Sequence, residues 1–191
     1  MSKEVEIEFK NMVDKEQFQQ LLQFFHIDDD QFFTQSNEYF DTDDYLLKKK
    51  HSALRIRDKN GQFELTLKTP APIGLYEYNQ MISASEVAQI KTKQLFPDGI
   101  VKTELENIQL PLTQLQSFGK IVTKRAEVNY KDGLLVFDHS YYLDHEDYEI
   151  EYEVDDYDGG KLIFRQLLEQ LHIPVMKADN KIARLFNRRF R

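Results

Sequence analysis

The stretch Glu6-Ile7-Glu8-Phe9-Lys10, read with its flanks Lys3-Glu4-Val5, alternates charged and apolar residues without a break. Glu4, Glu6, Glu8 and Lys10 take one side, and Val5, Ile7 and Phe9 the other. That period of two is the pattern of a β-strand over 3–10. The ordinary explanation of such a strand is a one-sided antiparallel sheet, with its charges in solvent. Whether that holds depends on how the other strands distribute their charge.

Five further stretches repeat the alternation. Ser52–Asp58 sets Arg55 and Arg57 around Ile56, and Gln62–Thr69 sets Glu64, Thr66 and Lys68 against Phe63, Leu65 and Leu67. These two are joined through Lys59-Asn60-Gly61, a hairpin signal. Phe118–Tyr130 carries Arg125 and Glu127 against Ala126 and Val128, and Lys131-Asp132-Gly133 turns it into Leu134–Tyr142, where Asp138 shares a face with Val136. Tyr148–Val154 sets Glu149, Glu151 and Glu153 against Tyr148, Ile150, Tyr152 and Val154. With extended segments at 32–41 and 75–82, about eight strands result. Helices are expected from Asp14 to about His26, briefly over Tyr45–Lys50, from Ser83 to about 92, from Lys161 to Leu171, and over Asn180–Phe190. Asp14 serves as an N-cap, and Ser83 with Glu86 forms a capping box. Residues 94–117 read as short helices and loops. The class is α+β with hairpin connections, and periodicity alone leaves a sandwich or a barrel open.

The charges narrow the choice. Like charges repeat on single faces, and carboxylates ~7 Å apart repel by about 0.6 kcal/mol even in bulk water. Glu4, Glu6 and Glu8 incur this, as do Glu149, Glu151 and Glu153. A hard divalent cation removes the repulsion, and an oxygen-only donor set suits Mg²⁺ or Mn²⁺ rather than Zn²⁺. Arg55, Arg57, Lys68, Arg125 and Lys10 supply strand-directed cations suited to a multiply charged anion. Helices covering the apolar faces would turn the charged faces inward, and an eight-stranded barrel can hold one small ligand.

Composition bounds the rest. The chain has 191 residues and reads as one domain over 1–191, with 33 acidic against 25 basic residues and a net charge of −8. That balance argues against general nucleic-acid binding. The absence of cysteine excludes disulfides and thiolate chemistry. No basic-then-apolar leader and no run long enough to span a bilayer appear, so a cytoplasmic protein without membrane partners is expected, as monomer or homodimer. The five histidines show no ligand spacing, Asp41-Thr42 reads as a structural turn, and Lys48-Lys49-Lys50 and Arg188, Arg189 and Arg191 read as exposed surface. No nucleophile elbow or Walker loop is present.

The ordered set of motifs resembles the CYTH superfamily, the triphosphate tunnel metalloenzymes, which include class IV adenylyl cyclases and thiamine, inorganic and RNA triphosphatases. Glu6-x-Glu8-x-Lys10 matches its ExExK signature. Tyr39-Phe40-Asp41-Thr42, Leu54-Arg55-Ile56-Arg57, Leu65-Thr66-Leu67-Lys68, Lys124-Arg125-Ala126, Asp138, Glu149-Ile150-Glu151-Tyr152-Glu153 and Asn180-Lys181-Ile182-Ala183-Arg184 follow in order. ExExK alone is easily met by chance, whereas the full series covers nearly the whole chain. The overall look is closest to the small single-domain members from Gram-positive bacteria.

The resemblance implies a closed eight-stranded antiparallel tunnel that binds a linear triphosphate. It implies metal held by Glu6, Glu8, Glu149, Glu151, Glu153 and Asp138. Phosphate is expected on Lys10, Arg55, Arg57, Lys68, Arg125 and Lys181, with Lys10, Glu8 and Glu151 closest to the chemistry. Where the family often has Ser before the late lysine this chain has Asn180, which leaves Lys177 as an alternative to Lys181. The expected activity is metal-dependent triphosphate hydrolysis. An adenylyl cyclase or a non-catalytic polyphosphate or nucleotide binder is the alternative.

Overall fold

A computed structural model describes residues 1–176 and 178–190. The chain forms β1 (Ser2–Val13), α1 (Lys15–Phe24), β2 (Phe33–Asp41), α2 (Leu46–Lys49), β3 (Ala53–Lys59), β4 (Gln62–Pro70) and β5 (Leu75–Ile82). It continues with α3 (Ala84–Lys93), α4 (Ile100–Asn107), β6 (Gln116–Tyr130), β7 (Gly133–Tyr142), β8 (His145–Val154), α5 (Tyr157–Gln170) and α6 (Lys181–Arg189). The eight strands close into an antiparallel barrel in the order β1-β5-β4-β3-β2-β6-β7-β8, with the six α-helices of the described residues packed around it. The barrel, rather than the sandwich, is the outcome.

Residue contacts divide the chain into two compact units. The first holds residues 1–5 and 35–121. Its core gathers Leu54, Ile56, Leu65, Leu67 and Tyr78 from β3–β5 with Leu47 of α2, Ile90 of α3, and Val101 and Leu105 of α4. The apolar side of these strands therefore meets helices, and Arg55, Arg57, Glu64, Thr66, Lys68, Glu77 and Asn79, one residue out of step, take the opposite side. The cross-strand pairs Arg55–Thr66, Thr66–Asn79 and Lys68–Glu77 are in direct register.

The second unit holds residues 6–34 and 122–191. Its core joins Ala126, Leu135, Phe137, Ile150 and Tyr152 to Phe18 and Leu21 of α1 and to Phe164, Leu167 and Leu168 of α5. The same parity rule puts Glu6, Glu8, Lys10, Arg125, Asp138, Glu149, Glu151 and Glu153 on the side away from the helices. Lys10 lies opposite Glu151, Glu8 opposite Glu153, and Asp138 opposite Glu149.

Several boundaries differ from the sequence expectation. Strand β1 runs on to Val13, because its pairing with β8 continues through Asn11–Ile150, Met12–Glu149 and Val13–Tyr148. Strand β8 begins at His145 rather than 148, since the turn falls at Leu143-Asp144, with Leu143 at φ 53°. Helix α5 begins at Tyr157, not 161. Asp156 caps it by accepting from the Gly159 amide, and Gly159-Gly160 form its first turn rather than a preceding loop. Gly160 is required there: a Cβ would stand 2.5 Å from Cγ2 of Val154, so only glycine lets this helix approach β8 so closely. Within 94–117 the one full helix is α4.

Candidate functional site: a charged interior

In the second unit, Arg125 on β6 is the centre of the charge network. Its Nε and Nη2 donate to both oxygens of Asp138 at 2.7 and 2.6 Å, and Nη2 also reaches Glu151 at 3.0 Å. Asp138 and Glu149 are fully buried and Glu151 nearly so. Burial alone would raise the Asp138 and Glu151 carboxyls, but Arg125 and Lys181 outweigh it and hold both below the usual carboxylate range. Lys181 at the start of α6 donates to Glu149 at 2.6 Å and Glu151 at 2.7 Å and pairs with Asp138 at 2.8 Å. Arg184, one turn on, reaches Glu149 at 2.9 Å and Asp147 at 2.9 Å.

Lys10 lies between Glu8 at 2.5 Å and Glu151 at 3.8 Å. Burial disfavours its charge, yet Glu8, Glu151 and Glu149 more than compensate and raise its pKa. Lys10 is therefore a firmly protonated cation, suited to holding an anion and unsuited to accepting a proton.

Two carboxylate triads result. Asp138, Glu149 and Glu151 can each offer an oxygen within 4.8 Å of the others, and so can Glu6, Glu8 and Glu153. They differ in compensation. The first triad carries Arg125, Lys181 and Arg184. In the second, burial and the neighbouring Glu151, Glu6 and Glu8 push the Glu153 carboxyl up to about 7, with Arg125 only partly offsetting them. At Glu153 the neighbouring carboxylates and burial outweigh Arg125, and three half-buried oxygen donors, one of them paired with Lys10, fit a hard divalent cation.

The first unit carries a cationic set. Glu77 on β5 holds Lys68 at 2.6 Å and Arg55 at 3.7 Å. Burial opposes its ionisation, but the two cations win and lower its carboxyl to about 2. Arg57 donates through Nε to Asn37 at 3.2 Å and pairs with Glu64 at 3.9 Å. The hydroxyl of Thr66 and Oδ1 of Asn79 are buried without a hydrogen-bond partner among the described residues.

Sequence reasoning missed Glu77, although Tyr76-Glu77-Tyr78-Asn79 shows the same alternation as the strands it used. It also missed Arg184, which shares a helix face with Lys181 three residues earlier. Asn180 does what a serine would do before Lys181: it caps α6, its Oδ1 accepting from the Ala183 amide at 2.8 Å. Lys177 and Arg191 lie outside the described residues. Asp41 is the structural group expected, since its carboxylate accepts from the amides of Thr42, Leu47 and Lys48.

The sequence matches the CYTH domain over residues 4–186. The chain belongs to the CYTH family. A relative from Bacillus subtilis strain 168, provisionally named triphosphatase YjbK, is 46% identical over 97% of this CYTH protein and 96% of its own length. A crystal structure from Bacillus halodurans, provisionally named an adenylate cyclase, is 44% identical, superposes with a TM-score of 0.94, and covers 97% of this chain and 100% of its own. A Hippeastrum protein, described as a provisional adenylyl cyclase with dominant triphosphatase activity, has a TM-score of 0.75 at 22% identity, over 95% of each chain, a likeness of fold. No helix among the described residues is long and apolar enough to cross a membrane.

Proposed function

We propose that this CYTH protein hydrolyses the triphosphate moiety of inorganic triphosphate or of a small organic or nucleoside triphosphate, with Mg²⁺ or Mn²⁺, as one domain over 1–191. The observation that carries this is the triad of Glu6, Glu8 and Glu153, where burial and like charge raise the Glu153 carboxyl, in a barrel that also carries directed cations. An anion carrier would favour a basic interior and would have no use for such a triad. The triphosphatase name of the 46% identical relative supports the same reading.

In this proposal Glu6, Glu8 and Glu153 hold the first ion, and Asp138, Glu149 and Glu151 are a second carboxylate set now covered by Lys181 and Arg184. A bound divalent ion supplies charge neutralisation on phosphate oxygens and a more acidic water. Arg55, Arg57 and Lys68, with Lys10, Arg125 and Lys181, are the groups assigned to phosphate oxygens, where they stabilise the charge that spreads in phosphoryl transfer. Glu77 keeps Lys68 and Arg55 ordered before substrate arrives. Glu8 and Glu151, which flank Lys10, set its direction.

The adenylate-cyclase name of the 44% identical structure supports a second reading, in which ATP yields cyclic AMP and pyrophosphate. One assay separates them. Inorganic triphosphate, ATP and thiamine triphosphate are offered with Mg²⁺ or Mn²⁺, and phosphate, pyrophosphate and cyclic AMP are quantified. Phosphate release that disappears on chelation and in Glu6→Gln and Glu151→Gln supports hydrolysis. Cyclic AMP from ATP replaces it with the cyclase reading. Tight triphosphate binding without turnover leaves a binding module.

A further inference from the structure

The outer face of β5 carries a feature unconnected with the barrel interior. Tyr76 and Tyr78 stand on that face, because Glu77 and Asn79 take the other. Together with Glu104 and Asn107 of α4 and Lys50 after α2 they border an open cavity of about 520 Å³. The ammonium of Lys3 lies 4.4 Å from the centre of the Tyr76 ring and 5.0 Å from that of Tyr78, within cation–π range. Its pKa is raised, first by the hydrogen bond with the Tyr78 hydroxyl and in smaller part by Glu104. Lys3 is itself exposed, so these local attractions place it rather than burial.

Other contributions have the same sign. The cavity lies at the C-terminal end of α4, whose carbonyls carry partial negative charge, and no basic residue stands in the last turn of that helix to cancel it. A hard metal ion would find only one carboxylate here and two apolar ring faces. An anion would meet Glu104 and the helix C-terminus. An alkylammonium suits the rings, Glu104 and the helix C-terminus, with Lys50 the opposing charge, and the chain has already laid one of its own across the rings.

We propose that this cavity binds an aliphatic polyammonium ligand. One of its ammonium groups displaces Lys3 from Tyr76 and Tyr78, and its chain extends into the cavity toward Glu104 and Asn107. Lys50 is the like charge the ligand must avoid, and Lys3 is an internal competitor. Removing Lys3 should therefore tighten binding, an outcome that a merely structural Lys3 would not produce.

The test is a titration of the full chain with putrescine, followed by amide chemical shifts, with butylamine and uncharged butanediol in parallel. Saturable shifts at Tyr76, Tyr78 and Glu104 are expected with putrescine, weaker ones with butylamine and none with butanediol. Lys3→Ala should lower the apparent Kd about threefold, and Tyr76→Leu and Glu104→Gln should each raise it about fivefold, the scale of one exposed cation–π or ion-pair contact. Spectral dispersion shows whether each variant is folded, and Glu104→Gln stands in if Tyr76→Leu is not. Absence of saturation overturns the proposal. So do shifts confined to Glu6, Glu8 and Glu153, or an affinity unchanged by Lys3→Ala.

Discussion

Arg125 donates to both oxygens of buried Asp138 and to Glu151, so its removal leaves two buried carboxylates short of a partner. Arg125→Met should destabilise the protein by about 3–5 kcal/mol, read as a lower urea midpoint at constant m-value. Arg125→Lys should recover only part of this, because an ammonium cannot span both oxygens of Asp138. Glu77 allows a pH test. Its carboxyl lies at about 2 in the folded chain against an ordinary 4.5. A lowered folded value stabilises the fold above pH 4.5 and loses that contribution as pH falls toward 2. The whole effect is at most about 3 kcal/mol. Glu77→Gln should therefore be less stable at neutral pH and show a flatter acid limb between those values. An unchanged acid limb would mean that Glu77 does not hold Lys68 and Arg55 in solution.

Helix α6 brings Lys181 and Arg184 to the carboxylates, and Asn11 fastens Pro174 and Met176, ahead of that helix, to β1. Asn11, fully buried in β1, donates to the Pro174 carbonyl at 3.0 Å and accepts from the Met176 amide at 2.6 Å. Asn11→Ala leaves those backbone groups unpaired, and faster amide exchange over α6 than over α5 is the expected result. Equal protection in both helices would show that the salt bridges alone hold α6. The alternation of β1, β3, β4, β6 and β8 was legible in the sequence because a strand with one helix-covered face must show period two. The start of α5 was not. Gly159-Gly160 reads as a loop until the approach of Val154 is known, and that approach is a property of packing.

At the scale of the whole molecule, burial and neighbouring carboxylates raise the Glu153 carboxyl, a repulsion that a divalent ion bound to Glu6, Glu8 and Glu153 would relieve. Mg²⁺ should raise the melting temperature of chelator-treated protein, with about 2.7 kcal/mol expected at a hundredfold excess over Kd. Glu153→Gln should melt higher than the wild type when both are metal-free, and should lose most of the Mg²⁺ response. A variant that is destabilised without metal, or that keeps the full response, would remove Glu153 from the metal set. The sequence by itself determined the strand faces, the family and the residue types of the site, since periodicity and motif order are written in the order of residues. Only the tertiary structure decided that β1 and β8 bring two acidic runs into one register. It also showed that Arg125, Lys181 and Arg184 pair with one triad while burial and like charge raise Glu153 in the other, and that Glu77 pairs with Lys68 and Arg55. The reason is physical: a charge's state depends on which partners lie within a few ångströms, and those partners range from Lys68 beside Glu77 to Glu6 beside Glu153, from opposite ends of the chain.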